Sequence, residues 1–106
     1  AVIENKAFIL GVYRSVQREQ VENYLGRVVY RLLLDVVEEL SQPYSLSEQD
    51  RAYITNFYKH AFVGVMLDWV RDGMQAPPEE VVGRVSLMTR GQLLLAIQNL
   101  AAHPLP

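Results

Sequence analysis

Apolar residues recur at helical spacing along this chain, in stretches separated by short runs of turn-forming residues. None of the stretches alternates apolar and polar residues as a half-buried strand does. The stretches are residues 3–16, 19–40, 47–72 and 79–89, with a further apolar segment at 93–102. The spacing therefore predicts an all-α fold, a helical bundle.

Capping residues predict where the third helix begins and ends. Two capping boxes fit its start, Ser47 with Asp50 and Ser45 with Glu48, and the sequence does not choose between them. Gly73 is suited to the left-handed conformation that commonly follows a helix. We therefore expect one long helix from about residue 48 to residue 72.

The fourth helix is predicted to begin at about Glu79, directly after Pro78. Proline suits the first helical position, and the acidic pair Glu79 and Glu80 suits the positive end of a helix. Gly91 either ends this helix or kinks it before the last apolar segment.

The second helix is predicted to bury a broad apolar face and to expose a narrow polar stripe. The apolar face is Val21, Leu25, Val28, Val29, Leu32, Val36 and Leu40, widened by Leu33, Leu34 and Val37. The stripe is Asn23, Arg27, Arg31 and Asp35, which we interpret as a solvated face with a possible ion pair between Arg31 and Asp35.

The third helix is apolar on two sides. At about 100° per residue, one arc faces its own core: Ile54, Tyr58, Ala61, Phe62, Val65, Met66 and Trp69. A second strip contains Phe57, His60, Val63, Gly64 and Leu67. Exposed apolar strips of this kind usually mark an interface, and a second copy of the chain is the economical partner. The alternative is that the fourth helix and the tail cover the strip within one chain.

Composition excludes several classes of protein. The 106 residues fit a single domain spanning 1–106, and the absence of cysteine rules out disulfides and thiolate sites. With 10 Lys+Arg against 12 Asp+Glu, the net charge of -2 provides no basic footprint for nucleic acid. No apolar run approaches the ~20 residues of a membrane span, so we expect no membrane partner. Nothing in a chain without cysteine needs an oxidising compartment, so we expect a cytoplasmic location.

Catalytic and metal-binding patterns are not visible in the sequence. His60 and His103 are the only histidines, and neither has a second ligand at helical metal-site spacing. The acidic pairs at 38–39 and 79–80 consist of adjacent residues, which point to different sides of a helix. We predict no enzymatic activity, no metal and no cofactor.

Aromatic residues on three helices raise the possibility of a pocket for a small, mostly apolar molecule. The candidate ligand-binding residues are Phe8, Val12, Tyr13, Tyr30, Tyr58, Phe62, Met66 and Trp69. The alternative is that these side chains pack on one another as a solid core.

Two segments, residues 5–40 and 57–82, together resemble a known type of domain. The shared features are Asn5 with Phe8, the Tyr58, Phe62 and Gly64 run, Trp69, Gly73 and the start at Pro78, Glu79 and Glu80. Over residues 5–88 the chain resembles the C-terminal regulatory domain of TetR/AcrR-family transcriptional regulators, in the branch related to the dihydroxyacetone kinase regulator.

The resemblance implies a function and a set of partners. It implies a homodimer whose last two long helices form a four-helix interface, with an unknown small-molecule effector bound among the other helices. Operator DNA is then bound only through an N-terminal helix-turn-helix domain, which is absent from this chain. The expected interface residues are Phe57, His60, Val63, Gly64, Leu67, Val81, Val85 and Met88. The alternative function is a pure helical dimerisation or co-regulator-binding module with no small-molecule ligand.

Overall fold

The computed structural model describes residues 6, 7 and 18–104, and these form helices joined by short loops, with no strand among them. The helices are α1 (Arg18–Ser41), α2 (Glu48–Arg71), α3 (Pro78–Thr89) and α4 (Gln92–Ala102). The predicted all-α fold is confirmed. The first predicted helix lies outside the described residues except for Lys6 and Ala7, which are helical. No described helix has an apolar stretch of the length and low charge that a bilayer crossing requires.

Two core clusters hold α1 and α2 side by side. The first contains Val21, Leu25, Leu67, Val70 and Met74, and the second contains Val37, Leu46, Ile54 and Ile97. Because residues early in α1 meet residues late in α2, the two helices run in opposite directions. Ile97 brings α4 into the second cluster, where its side chain is fully buried.

The buried stripe of α1 differs from the predicted face. Val21, Leu25, Val29, Leu33 and Val37 are buried at a strict spacing of four residues, whereas Val28, Leu32 and Val36 are 38%, 63% and 42% exposed. A row of residues four apart winds around a helix by about 40° per step, because four residues exceed one turn of 3.6. The predicted face is parallel to the helix axis, so it includes Val28, Leu32 and Val36, which do not belong to the winding row and are exposed.

The inward face of α2 departs from its predicted arc for the same reason. Ile54 is buried as expected, but further along the helix Ala61 and Val65 are exposed, while Leu67 and Val70 are buried. The prediction that Ala61 and Val65 face the core is therefore wrong. Leu67, which was assigned to the second strip, is 8% exposed and packs in the first cluster.

Both ends of α2 follow the capping signals in the sequence. At its start the Ser47 hydroxyl accepts a hydrogen bond from the backbone N–H of Asp50 at 3.0 Å, so the Ser47 box is the one that forms. At its end the N–H groups of Gly73 and Met74 donate to the carbonyl oxygens of Val70 and Trp69, at 3.0 and 2.9 Å. This is a Schellman motif, in which Gly73 adopts the predicted positive φ of 77°.

The fourth predicted helix forms as α3 and ends before Gly91. It begins at Pro78, one residue earlier than predicted, with Glu79 and Glu80 in its first turn. Of the two alternatives for Gly91, termination is the one observed: Gly91 has a φ of 77° and α4 begins as a separate helix at Gln92.

Candidate functional site

Two open grooves flank the α1–α2 pair, with volumes of about 780 and 450 Å³. They share no lining residue, although both have walls from α1 and α2. His60 lines the larger groove and Phe62 the smaller one, and residues two positions apart project about 200° from each other around a helix. The grooves therefore lie on opposite sides of α2.

We call the larger one the basic groove. It is lined by Glu22, Asn23, Gly26, Arg27, Tyr30, Arg31 and Leu34 of α1 and by Lys59, His60, Val63, Gly64 and Leu67 of α2. Its lining includes three permanent cations and one carboxylate. A Cβ built on Gly26 or on Gly64 would meet no atom within 4 Å beyond the adjoining backbone of its own helix.

The smaller one is the apolar groove. It is lined by Val29, Leu32, Leu33 and Val36 of α1, Phe62, Val65 and Met66 of α2, Val81, Val82, Val85, Ser86 and Thr89 of α3, and Leu93 of α4. No charged residue lines it, and the Thr89 hydroxyl donates to the Val85 carbonyl at 2.7 Å. Such a surface suits an apolar partner better than a polar ligand.

The structure does not bring the described candidate ligand-binding residues around one cavity. Tyr30 lines the basic groove, whereas Phe62 and Met66 line the apolar groove. Tyr58 packs against the second core cluster, and the indole N–H of Trp69 is bonded to a backbone carbonyl. The other three candidates, Phe8, Val12 and Tyr13, lie outside the described residues.

The expected interface residues also separate into two groups. His60, Val63, Gly64 and Leu67 line the basic groove, and Val81 and Val85 line the apolar groove. Phe57 on α2 and Met88 on α3 are 67% and 76% exposed. A flat partner surface could not contact both groups at once, since they lie on opposite sides of α2.

Sequence reasoning overlooked the cations of the basic groove, because Arg27 and Arg31 were interpreted as part of a solvated stripe. The ion pair that the sequence allows between Arg31 and Asp35 is not among those formed by the described residues. The Lys59 ammonium instead lies 6.0 Å from the centroid of the Tyr30 ring. One signal in the sequence predicts the groove. Arg27 and Arg31 flank Tyr30, and they directly follow Gly26 in the middle of the helix.

Within the described part of the chain, no three His, Asp or Glu side chains are grouped so that they could hold a metal ion.

Comparison with known proteins gives one positive result. A TetR-type family model, described as transcriptional regulator C-terminal region, matches residues 1–91. No curated protein and no solved structure matches the chain.

Proposed function

This chain belongs to the TetR-type family of transcriptional regulator C-terminal regions, and we propose that it works as the dimerisation and effector-sensing domain of a DNA-binding regulator. It is thus a transcriptional regulator domain rather than a member of an enzyme family. Regulators of this family generally act as dimers that bind DNA and small-molecule effectors.

The observation on which the dimer rests is that α3 buries none of its residues. Val82, Leu87 and Met88 on this 12-residue helix are 67%, 66% and 76% exposed. A helix this short is marginal in water unless an apolar face is packed against something. We therefore assign a second copy of the chain as the partner that covers α3.

The proposed contact surface consists of α3 and the rim of the apolar groove. Leu32 and Val36 of α1, together with Val65 of α2, extend the exposed apolar area beyond α3 itself. The lining of the groove is uncharged, and an apolar surface of this kind is typical of the core of a homodimer interface. In this arrangement Val81, Val85 and Met88 contribute to the dimer as expected.

The basic groove is the proposed effector site, because it lies on the other side of α2 from the dimer surface. His60, Val63 and Gly64 are then assigned to the effector and not to the dimer contact. Since α2 forms a wall of both grooves, a ligand that moves this helix would also change the dimer geometry. That shared element could couple effector binding to the two subunits' relative position.

We further propose how the regulator reads DNA and to which branch of the family it belongs. Operator DNA is read by a helix-turn-helix segment outside these 106 residues. Within the family, the order of Asn5, Phe8, Trp69 and Gly73 supports the branch related to the dihydroxyacetone kinase regulator. The chain would reside in the cytoplasm, where its operator is.

Sedimentation of the chain at micromolar concentration tests the proposal. We expect a species of twice the mass of one chain, dissociating on dilution. A monomer that persists at all accessible concentrations would contradict the proposed dimer, because α3 would then be stable without a partner.

A further inference from the structure

We propose that the basic groove binds a small organic anion, with its charged group held between Arg27, Arg31 and Lys59 and its apolar or aromatic body against Tyr30 and Leu34. This inference rests on the proposed function, since it specifies the chemical class of the effector.

The basic groove carries a local excess of positive charge. The chain has 12 acidic residues and only 10 Lys+Arg, yet three of those ten line this groove, against one acidic residue. The one acidic residue, Glu22, precedes Arg27 by five positions, or about 7.5 Å along the helix axis. The three cations therefore sit at the end of the groove away from Glu22.

No carboxylate of the described residues pairs with these cations. Among the described residues, Arg27, Arg31 and Lys59 form no ion pair, and Asp35 does not reach Arg31. Three like charges that face one groove repel each other, and an anion between them would relieve that repulsion. Arginine forks and a lysine ammonium are also the groups that bind carboxylates and phosphates most strongly.

The two helices leave open space between them at the basic groove. Gly26 and Gly64 face open volume, and a larger side chain at either position would project into it. Glycine inside a helix costs about 1 kcal/mol relative to alanine. Glycine at these two positions therefore lowers the stability of the helices and leaves open space beside Tyr30 and Val63.

The dimensions favour a small molecule over a nucleic acid. Arg27 and Arg31 are four residues apart, about 6 Å along α1, so their long side chains can converge on one carboxylate or phosphate group. A duplex would need cations spaced along a longer surface, and the chain as a whole has a net charge of -2. The groove volume of about 780 Å³ lies within the range of small-molecule sites.

Titration with phenylacetate and its neutral analogue phenylacetamide, followed by amide chemical shifts of the 106-residue chain, tests the inference. We expect phenylacetate to shift amides of α1 and α2 around Tyr30 and His60. The neutral analogue should bind roughly tenfold more weakly, because it cannot form the charge-assisted hydrogen bonds that a carboxylate forms with the cations of the groove. Equal shifts from the two compounds, or shifts confined to the apolar groove, would overturn the assignment. So would the absence of any shift at concentrations that saturate a millimolar site.

Two matched arginine variants test whether the cations of the basic groove bind the anion. Arg31→Gln should weaken phenylacetate binding roughly tenfold, whereas Arg90→Gln, at an exposed site beyond α3, should not change it. Gly26→Leu should fill the groove and abolish the shifts. Denaturant unfolding of each variant separates loss of binding from loss of fold, and unchanged binding in a folded Arg31→Gln protein would contradict the proposal.

Sedimentation of the same samples separates this inference from the proposed function. A dimer that does not bind phenylacetate would reject the anionic effector and leave the dimerisation role in place. A monomer that binds phenylacetate would reject the proposed dimer while leaving the groove assignment intact.

Discussion

The indole Nε1 of Trp69 donates a 2.8 Å hydrogen bond to the carbonyl oxygen of Ala76, across the loop that joins α2 to α3. The same loop contains two consecutive residues with positive φ, Gly73 at 77° and Met74 at 56°. Because α3 buries none of its residues fully, this loop contributes to the direction in which α3 leaves α2, together with the contacts that α3 makes in the apolar groove. The polar end of Trp69 thus stabilises a loop, although its sequence pattern suggested a ligand-binding residue.

Trp69→Phe should destabilise the chain by about 1–2 kcal/mol, through loss of this hydrogen bond and of some packing in the first core cluster. Urea unfolding measures the change in the free energy of unfolding. The control is Tyr53→Phe, which removes a polar group from a 73% exposed ring and should stay within about 0.5 kcal/mol of the parent. Similar values for the two variants would show that the Trp69 bond adds no stability.

Ser47→Ala should cost about 1 kcal/mol of unfolding free energy, because the hydroxyl that caps α2 is removed. Ser45→Ala is the matched control, since Ser45 belongs to the alternative capping box, which does not form. Thermal or urea unfolding compares the two variants. A larger loss for Ser45→Ala would reverse the assignment of the cap.

Alanine substitutions should have opposite effects at two glycines. Gly26→Ala should stabilise the chain by about 0.5–1 kcal/mol, because the site is inside a helix and the new Cβ meets no neighbour. Gly73→Ala should destabilise it by roughly 1–2 kcal/mol, because a φ of 77° is unfavourable for an L-residue with a Cβ. Denaturant unfolding measures the change in the free energy of unfolding for each variant. A destabilised Gly26→Ala protein would mean that the groove is not open at this point.

Met88→Lys should shift the sedimenting species from dimer to monomer while preserving the helical circular dichroism of α1 and α2. Met88 is 76% exposed in one chain, so the lysine is tolerated in the monomer, whereas a partner surface would have to bury its charge. The control Asn99→Lys adds the same charge at an exposed position on α4 and should leave the dimer unchanged.

Gly64→Leu tests which side of α2 contacts the second copy. The sequence analysis predicts Gly64 in the dimer interface, where leucine would dissociate the dimer. The groove assignment predicts the opposite result: the dimer persists in sedimentation and phenylacetate binding is lost. Dissociation by Gly64→Leu would return this glycine to the interface.

Signals that act over a few residues were readable in the sequence. Gly73 was assigned correctly because its backbone conformation depends on its own φ, and Pro78 because it lacks an N–H that the first turn does not need. Ser47 was recognised as one of two equivalent caps. The choice between Ser47 and Ser45 required the observed hydrogen bond to Asp50.

What the tertiary structure decided is which side of each helix faces inward. Leu32 and Leu33 are chemically identical neighbours, yet one is 63% and the other 6% exposed. α1 is apolar over more than half of its circumference, so its own periodicity admits several inward faces of nearly equal hydrophobic free energy. Packing against α2 selects the row of residues four apart on α1, which buries Leu33 and leaves Leu32 outside. On α2 the same contact buries Leu67 and leaves Val65 outside. Both grooves follow from this selection, because a groove is formed by residues of two helices whose relative rotation neither helix determines by itself.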